Sequence, residues 1–358
     1  MKIIMHIGMP KTGSTAIQFA LTKHREQLLN AGVLYPINPG PFSGQVKHSI
    51  YVSMLRRGDS EQWNRFPDAE TKIISTYGGS FDFHSYWLDD LKKQIAVAKP
   101  HTLVISEEVF FGVLGNKKSK IHENIREFSS DLNVKSEDLK FVGYLRSPPD
   151  YYLSSCQQNL KSKPEIRDID SANYIPTFRR IVDSYKSHCQ IFPFDKKIFP
   201  EGDVVRHFTR LFLGIELGSL GKPTETISAP AMSILQDYRS IFYAEKNQRQ
   251  SPKQVEFLIN ALRDGDGNLG FSRPILRDEV KDAIWQTAES DLHWLNENFG
   301  IAFYPPKDRL EVQNIQSKVA FRPKTVEDIV DFDVHQKSRL LFEVIFQLSK
   351  KNKKIKLS

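Results

Sequence analysis

The chain has 358 residues, of which 40% are hydrophobic, and a formal net charge of +7 at pH 7. This length can bury a large core, and no stretch approaches the roughly 18 consecutive apolar residues of a membrane span, so we expect at most peripheral membrane contact. Residues 350–356 contain five lysines, which leaves a net charge of only +2 for the rest of the chain. Because no nucleic-acid-binding module is recognisable either, we predict no nucleic-acid partner.

The cysteine content and the N-terminus indicate the compartment. The two cysteines, Cys156 and Cys189, form no C-x-x-C motif. They provide neither a disulfide framework nor a zinc cluster. The apolar run at the N-terminus is short and lacks the small-residue cleavage site of a signal peptide. We therefore predict a cytoplasmic protein.

The first predicted element is a short strand that leads through a tight turn into a helix. Residues 3–7 are an apolar run that stops at Gly8, and an amphipathic pattern predicts a helix from just after Gly13 to about Asn30. Glycines, a helix N-terminus, hydroxyl groups and a lysine together form a cradle for an anion, which we predict at residues 8–15. The polar side chains of this segment are Lys11, Thr12, Ser14 and Thr15.

The following elements alternate between strands and helices. We predict strands at residues 32–36, 102–106 and 140–145, and helices at residues 85–98 and near 120–130. This alternation, with nearly all-apolar strands, indicates a three-layer α/β fold with a central parallel sheet. Ligands bind at the carboxyl ends of the strands in such sheets. The polar residues at these ends are His48, Glu107, Glu108 and Arg146.

The second half of the chain is predicted to be more helical. Helical patterns cover residues 172–188, 203–213, 230–246 and 276–299, and residues 190–194 form a short strand. The glycine-rich residues 264–270 predict a loop. Asp264 and Asp266 in this loop suggest calcium ligands, but the glycine and glutamate that an EF-hand requires are missing, so we predict no metal.

Two motifs narrow the chemistry. Residues 8–13 have the glycine spacing of a P-loop, yet Ser14 stands where the motif for nucleoside triphosphates requires lysine. Residues 10–15, P-K-T-G-S-T, instead resemble the 5'-phosphosulfate loop of sulfotransferases that use 3'-phosphoadenosine 5'-phosphosulfate (PAPS). Residues 146–154, R-S-P-P-D-Y-Y-L-S, resemble the 3'-phosphate motif of the same family, R-x-P-x-D-x-x-x-S. Two later segments, residues 193–215 and 290–300, resemble bacterial carbohydrate sulfotransferases as well.

The resemblance implies a P-loop-like α/β domain over residues 1–300. Residues 301–358 are then a C-terminal extension with a helix and a basic tail. The resemblance further implies PAPS as the sulfuryl donor, no metal, and Lys11 as a catalytic cation. The implied donor-binding residues are Lys11, Thr12, Gly13, Ser14 and Thr15 for the 5'-phosphosulfate, and Arg146 with Ser154, or alternatively Ser155, for the 3'-phosphate.

The acceptor hydroxyl also needs a base, which the resemblance implies is a histidine or a glutamate. The candidates are His48, Glu107 and Glu108. Residues 106–108 resemble an S-x-E of bacterial relatives. Because side chains alternate along an extended chain, we favour Glu108 over Glu107 as the one that faces the site.

The sequence therefore predicts an enzyme that transfers a sulfuryl group from PAPS to a hydroxyl, or in second place an amine, of a carbohydrate or glycolipid. The irregular residues 37–47 and 60–84, together with the helical second half of the chain, are predicted to build the acceptor pocket. The alternatives are a P-loop nucleotide kinase or other NTPase, and a non-catalytic nucleotide-binding protein.

Overall fold

The computed structural model describes residues 1–9, 11–48, 51, 55, 83–108, 111, 114, 120–220, 226–243, 252–303 and 322–355. Within these ranges the chain forms five strands and eleven α-helices. The strands are β1 (Lys2–His6), β2 (Val33–Leu34), β3 (Thr102–Ser106), β4 (Leu139–Leu145) and β5 (Cys189–Pro193). The helices are α1 (Ser14–Lys23), α2 (Arg25–Asn30), α3 (Phe83–Ala98), α4 (Ile121–Asp131), α5 (Pro148–Leu160), α6 (Ile175–Tyr185), α7 (Val204–Phe208), α8 (Ala229–Tyr243), α9 (Pro252–Leu269), α10 (Asp278–Phe299) and α11 (Val334–Ile355).

The five strands form one parallel sheet in the order β2-β3-β1-β4-β5. In its centre, Ile4 of β1 lies in register with Val104 of β3 on one side and with Lys140 of β4 on the other. The apolar side chains of β1 are almost completely buried, which is typical of a parallel strand that is covered on both faces. The predicted α/β fold with a central parallel sheet is confirmed.

Helices cover both faces of this sheet. One face carries Ile4, Val104 and Val142 and packs on α1 and α7 in a single core cluster. Phe141, the residue before Val142, points to the opposite face. Its ring lies 4.2 Å, centroid to centroid, from the ring of Tyr185 in α6. The arrangement is three-layered, as the strand and helix alternation predicts.

By packing, the chain divides into two compact units. The first contains the sheet and comprises Met1–Arg146 and Ile175–Gly221, whereas the second comprises Ser147–Tyr174 and Lys222–Ser358. In the second unit, Leu340 of α11 is buried in one cluster with Leu235 of α8. The predicted C-terminal helix is thus part of the core of this unit, and the domain boundary at residue 300 stays a prediction.

The segment at residues 264–270 corrects a prediction. It is not a loop, because α9 continues helically to Leu269. A Cβ atom on Gly265 would lie 2.7 Å from Cδ1 of Leu340, so the absence of a side chain at this position allows α11 to pack closely against α9. Asp266 is buried and accepts hydrogen bonds from the Ser228 N–H (2.8 Å) and hydroxyl (2.5 Å), just before α8 begins. Gly265 and Asp266, which suggested a loop, instead make tertiary contacts with α11 and with the N-terminal end of α8.

A second correction concerns the first helix. The predicted continuous helix is divided into α1 and α2 at His24, whose backbone leaves the helical region at φ −107° and ψ 27°. After the break, the Arg25 guanidinium donates hydrogen bonds to the carbonyls of Tyr35 (3.1 Å) and Pro36 (3.2 Å). These bonds attach the start of α2 to the chain that follows β2.

Two further predictions lie outside the described residues. They are the helical pattern that follows His48, apart from Tyr51 and Leu55, and almost all of the irregular residues 60–84. Among the helices of the described ranges, none has the length and the apolar character that a bilayer crossing requires.

Candidate anion-binding site at the carboxyl ends of the strands

Residues 8–15 comprise the turn between β1 and α1 and the first two residues of α1, and we refer to them as the N-terminal loop. Two of its residues adopt the left-handed backbone conformation, Lys11 with φ 71° and Gly13 with φ 79°. Only glycine adopts this conformation without cost. A Cβ atom on Gly13 would also lie 2.8 Å from Cγ1 of Val204 and 3.2 Å from Cε2 of Phe194. Both the backbone and the space therefore require glycine at this position.

The start of α1 presents backbone N–H groups. Among the described residues no side chain caps this helix, and its first intrahelical bonds run from Ala16 and Ile17 to the Gly13 carbonyl. The N–H groups of Ser14 and Thr15 precede these bonds and have no partner within the helix. In the described part of the chain, the buried Ser14 hydroxyl has no hydrogen-bond partner either. N–H donors without an intrahelical partner, at the positive end of a helix dipole, fit a phosphate or sulfate group.

The three predicted hydroxyl donors of the loop differ in accessibility. The Thr12 hydroxyl is buried and donates to the Met9 carbonyl at 2.6 Å. Ser14 is 1% exposed and points at Gly8, where a Cβ atom would lie 2.1 Å from Ser14 Oγ. Thr15 is exposed. Thr12 and Ser14 thus shape the loop and offer backbone N–H groups, and Thr15 presents its hydroxyl at the surface.

A buried polar layer lies beneath the loop, and the sequence analysis missed it. His6 Nδ1 is 2.7 Å from the Ser106 hydroxyl, and Gln18 Nε2 donates to the Ser106 carbonyl at 3.4 Å. Among the described residues, His6 Nε2 and Gln18 Oε1 have no partner. Burial lowers the pKa of His6 to about 3, so the ring is neutral. The signal that pointed to this layer is a histidine inside an otherwise apolar strand.

Arg146 lies beside the loop because β4 pairs directly with β1. Its guanidinium carbon is 5.3 Å from the centroid of the Phe194 ring, a cation–π distance. A Cβ atom on Gly13 would lie 3.2 Å from Cε2 of the same ring. One aromatic side chain therefore contacts both the N-terminal loop and Arg146, and brings the two predicted anion-binding groups to the same edge of the sheet. Phe194, which directly follows β5, was not among the predicted site residues.

Ser154 belongs to the second unit. It is half-buried on α5, and its neighbour Ser155 is buried. As predicted, a helix starts directly after Arg146, with Ser147 as its N-cap accepting from the Asp150 N–H at 3.4 Å. The role of Ser154 in binding a 3'-phosphate stays a prediction.

His48 uses both of its ring nitrogens. The Ser106 N–H donates to Nδ1 at 3.1 Å, which places the proton on Nε2, and Nε2 donates to the Pro36 carbonyl at 3.0 Å. Burial lowers the pKa of His48 to about 3. The ring thus fastens the chain after β2 to the end of β3. Neither nitrogen is left to accept a proton from an acceptor hydroxyl, which argues against His48 as the base.

The two glutamates after β3 have different environments. Glu107 is 2% exposed, and its N–H donates to the His6 carbonyl at 3.1 Å. The Glu108 side chain is 26% exposed and lies 3.7 Å from the ammonium group of Lys47, a residue that the sequence analysis did not single out. Of the three candidate bases, Glu108 has the accessible proton-accepting group.

In chemical terms, this edge of the sheet can hold a polyanion. It offers the uncapped start of α1, the cation of Lys11 in the loop and the planar guanidinium of Arg146. Glu108, at the end of the neighbouring strand β3, supplies a carboxylate. The chain matches no family model, no curated protein and no solved structure in the comparisons.

Proposed function

We propose that this protein is a PAPS-dependent sulfotransferase that transfers a sulfuryl group to a hydroxyl, or in second place an amine, of a carbohydrate or glycolipid. One observation supports this proposal above the others. The N-terminal loop and Arg146, which resemble the two phosphate-binding motifs of this family, contact the same ring of Phe194. A donor with a phosphate at each of two ribose positions needs two such anion-binding groups at one edge of the sheet.

The residues of the first unit would divide the donor between them. Lys11 and the N–H groups of Ser14 and Thr15 would hold the 5'-phosphosulfate at the start of α1. The guanidinium of Arg146 would bind the 3'-phosphate through paired N–H donors. Phe194 would help to position this guanidinium, whose central carbon lies 5.3 Å from the centroid of the ring.

When bound, PAPS would supply the sulfuryl group, whose bond to the bridging oxygen breaks as the acceptor oxygen bonds to sulfur. Lys11 and the N–H groups of the loop would neutralise the negative charge that grows on the 5'-phosphate. Glu108 would accept the proton of the acceptor hydroxyl, so that a sulfate ester, adenosine 3',5'-bisphosphate and one proton are formed in all. The ammonium group of Lys47 would pair with the Glu108 carboxylate before the proton is transferred.

The proposal is tested by transfer from radiolabelled PAPS to a panel of saccharides and glycolipids. We expect label on at least one acceptor, and a kcat that falls at least about 100-fold in Glu108→Gln, because a positioned base contributes that much. Glu137→Gln, at an exposed carboxylate of the same unit, is the matched control and should retain the wild-type rate. A protein that labels no acceptor but hydrolyses ATP in the presence of magnesium would contradict the proposal and support the NTPase alternative.

A further inference from the structure

The second unit contains a cavity of about 510 Å³ that the proposed function does not use. It lies where the end of α5 meets α8 and α9, and three cationic side chains line it, namely Lys161, Arg239 and Arg263. Val255 and Ile259 form an apolar part of its wall. This volume is typical of small-molecule sites.

The two arginines are fixed in place but incompletely bonded. Arg239 donates to the carbonyl of Lys161, and Arg263 Nη1 donates to Asn260 Oδ1 at 3.3 Å. The Nε atoms of both arginines are buried, and within the described ranges neither has a hydrogen-bond partner. A buried N–H donor without a partner costs about 1 to 3 kcal/mol, more for a charged group.

In the part of the chain that the structure describes, the three positive charges have no matching negative charge. No ion pair there involves any of them, and the one carboxylate among the described lining residues, Glu256, is solvent-exposed. Burial and the charge of Arg263 lower the pKa of Lys161, and burial lowers the pKa of Arg239. An anion that enters this cavity would relieve the repulsion among these three charges.

From this geometry we propose that the cavity is a second anion-binding site, which takes the phosphate or sulfate monoester of a sugar-sized molecule. The guanidinium groups suit a tetrahedral oxyanion, because their N–H groups bind two oxygens at once. The apolar wall of Val255 and Ile259 suits the carbon skeleton of the ester. The proposal does not depend on sulfuryl transfer, because Lys11 and Arg146 take no part in this cavity.

Calorimetric titration of the full chain at constant ionic strength tests this proposal with glucose 6-phosphate, glucose 6-sulfate, inorganic phosphate and glucose. We expect at least one ester to bind about fivefold or more tightly than inorganic phosphate, and glucose not to bind. The tighter of the two esters identifies which oxyanion the site prefers. Inorganic phosphate that binds as tightly as both esters would overturn the proposal.

Variants locate the binding. Arg263→Gln should weaken the ester at least about tenfold, whereas Arg263→Lys should retain part of the affinity and show that the fold is intact. Lys163→Gln is the matched control, because this exposed lysine lies two residues from Lys161 outside the lining. Lys11→Ala should leave ester binding unchanged. Equal affinity in Arg263→Gln and the wild type, or loss of affinity in Lys11→Ala alone, would overturn the proposal.

Discussion

Three side chains at or after the ends of β1, β2 and β3 differ in burial and in hydrogen bonding. His48 is fully buried with both nitrogens bonded to backbone groups, whereas Glu108 is accessible and paired with Lys47. His6 is buried beneath the N-terminal loop with one bonded nitrogen. The two histidines thus belong to the framework of this edge of the sheet, and Glu108 is the accessible candidate for the proposed base.

The buried histidines make stability depend on pH. The pKa of both His6 and His48 is about 3 in the folded protein, below the usual value of 6.5. Their contribution to the free energy of unfolding is therefore complete above about pH 6.5. It is lost as the pH falls towards 3, because in this range the unfolded chain binds protons that the folded protein does not bind. Together they should lower the free energy of unfolding by roughly 2.7 kcal/mol per pH unit in this range.

Urea unfolding of the wild type and of His48→Gln at several pH values measures this effect. Glutamine can keep the hydrogen bonds to Ser106 and Pro36 but does not titrate. The slope of the free energy of unfolding against pH should therefore decrease by about 1.4 kcal/mol per pH unit. Other titrating groups cancel in this difference. An unchanged slope in His48→Gln would show that the histidine is already protonated in the folded protein.

Gly13 is predicted to be indispensable for anion binding. Gly13→Ala forces a Cβ atom into the left-handed region and towards Val204, so the loop must move and the affinity for adenosine 3',5'-bisphosphate should fall at least about tenfold. Gly214→Ala is the control, because Gly214 has a similar φ of 67° but an open surrounding. It should cost about 1 kcal/mol of stability and leave the affinity unchanged. Equal affinity of the two variants would contradict this role of Gly13.

Local motifs found some of these residues and missed others. Lys11, Gly13 and Arg146 follow from short motifs, since the loop and the strand end that present them are local structures. His6, Lys47 and Phe194 do not, because their roles depend on contacts across the sequence. His6, for example, contacts Ser106, 100 residues away. Such contacts follow from the pairing of the strands, which no local pattern contains.

At the level of elements, hydrophobic periodicity predicted the strands correctly where apolar residues are buried. It failed to predict helix where a glycine allows a tertiary contact. The strands β1, β3 and β4 are nearly continuous apolar runs, and each lies where it was predicted. Residues 264–270 carry three glycines and were predicted as a loop, yet most of them are helical. Contact with α11 outweighs the low intrinsic helix propensity of glycine in this segment.

This explanation predicts different effects for two glycines of α9. Gly265→Val places a branched side chain against the buried Leu340 and should lower the free energy of unfolding by about 1 to 3 kcal/mol. A Cβ atom on Gly267 would meet no atom within 4 Å, so Gly267→Val should stay within about 0.5 kcal/mol of the wild type. Chemical unfolding followed by circular dichroism measures both values. Equal effects of the two variants would mean that packing against α11 does not determine the helix at this point.

At the scale of the whole molecule, the fold class was predictable and the arrangement was not. Alternating strands and helices indicated a parallel α/β sheet, but the order β2-β3-β1-β4-β5 depends on pairings between distant segments. The same holds for the second unit, in which residues 147–174 join helices that follow residue 222. The first unit nevertheless carries Lys11, Gly13, Glu108 and Arg146 at one edge of its sheet, as expected for strand ends in a parallel sheet.

The most direct test of the proposed donor site is calorimetric titration with adenosine 3',5'-bisphosphate in the absence of magnesium. We predict that the wild type binds it, that Lys11→Ala and Arg146→Ala each weaken binding at least about tenfold, and that Lys135→Ala, at an exposed lysine of the same unit, does not. Absence of binding to the wild type, or equal affinity in all four proteins, would contradict the assignment of this edge of the sheet as the donor site.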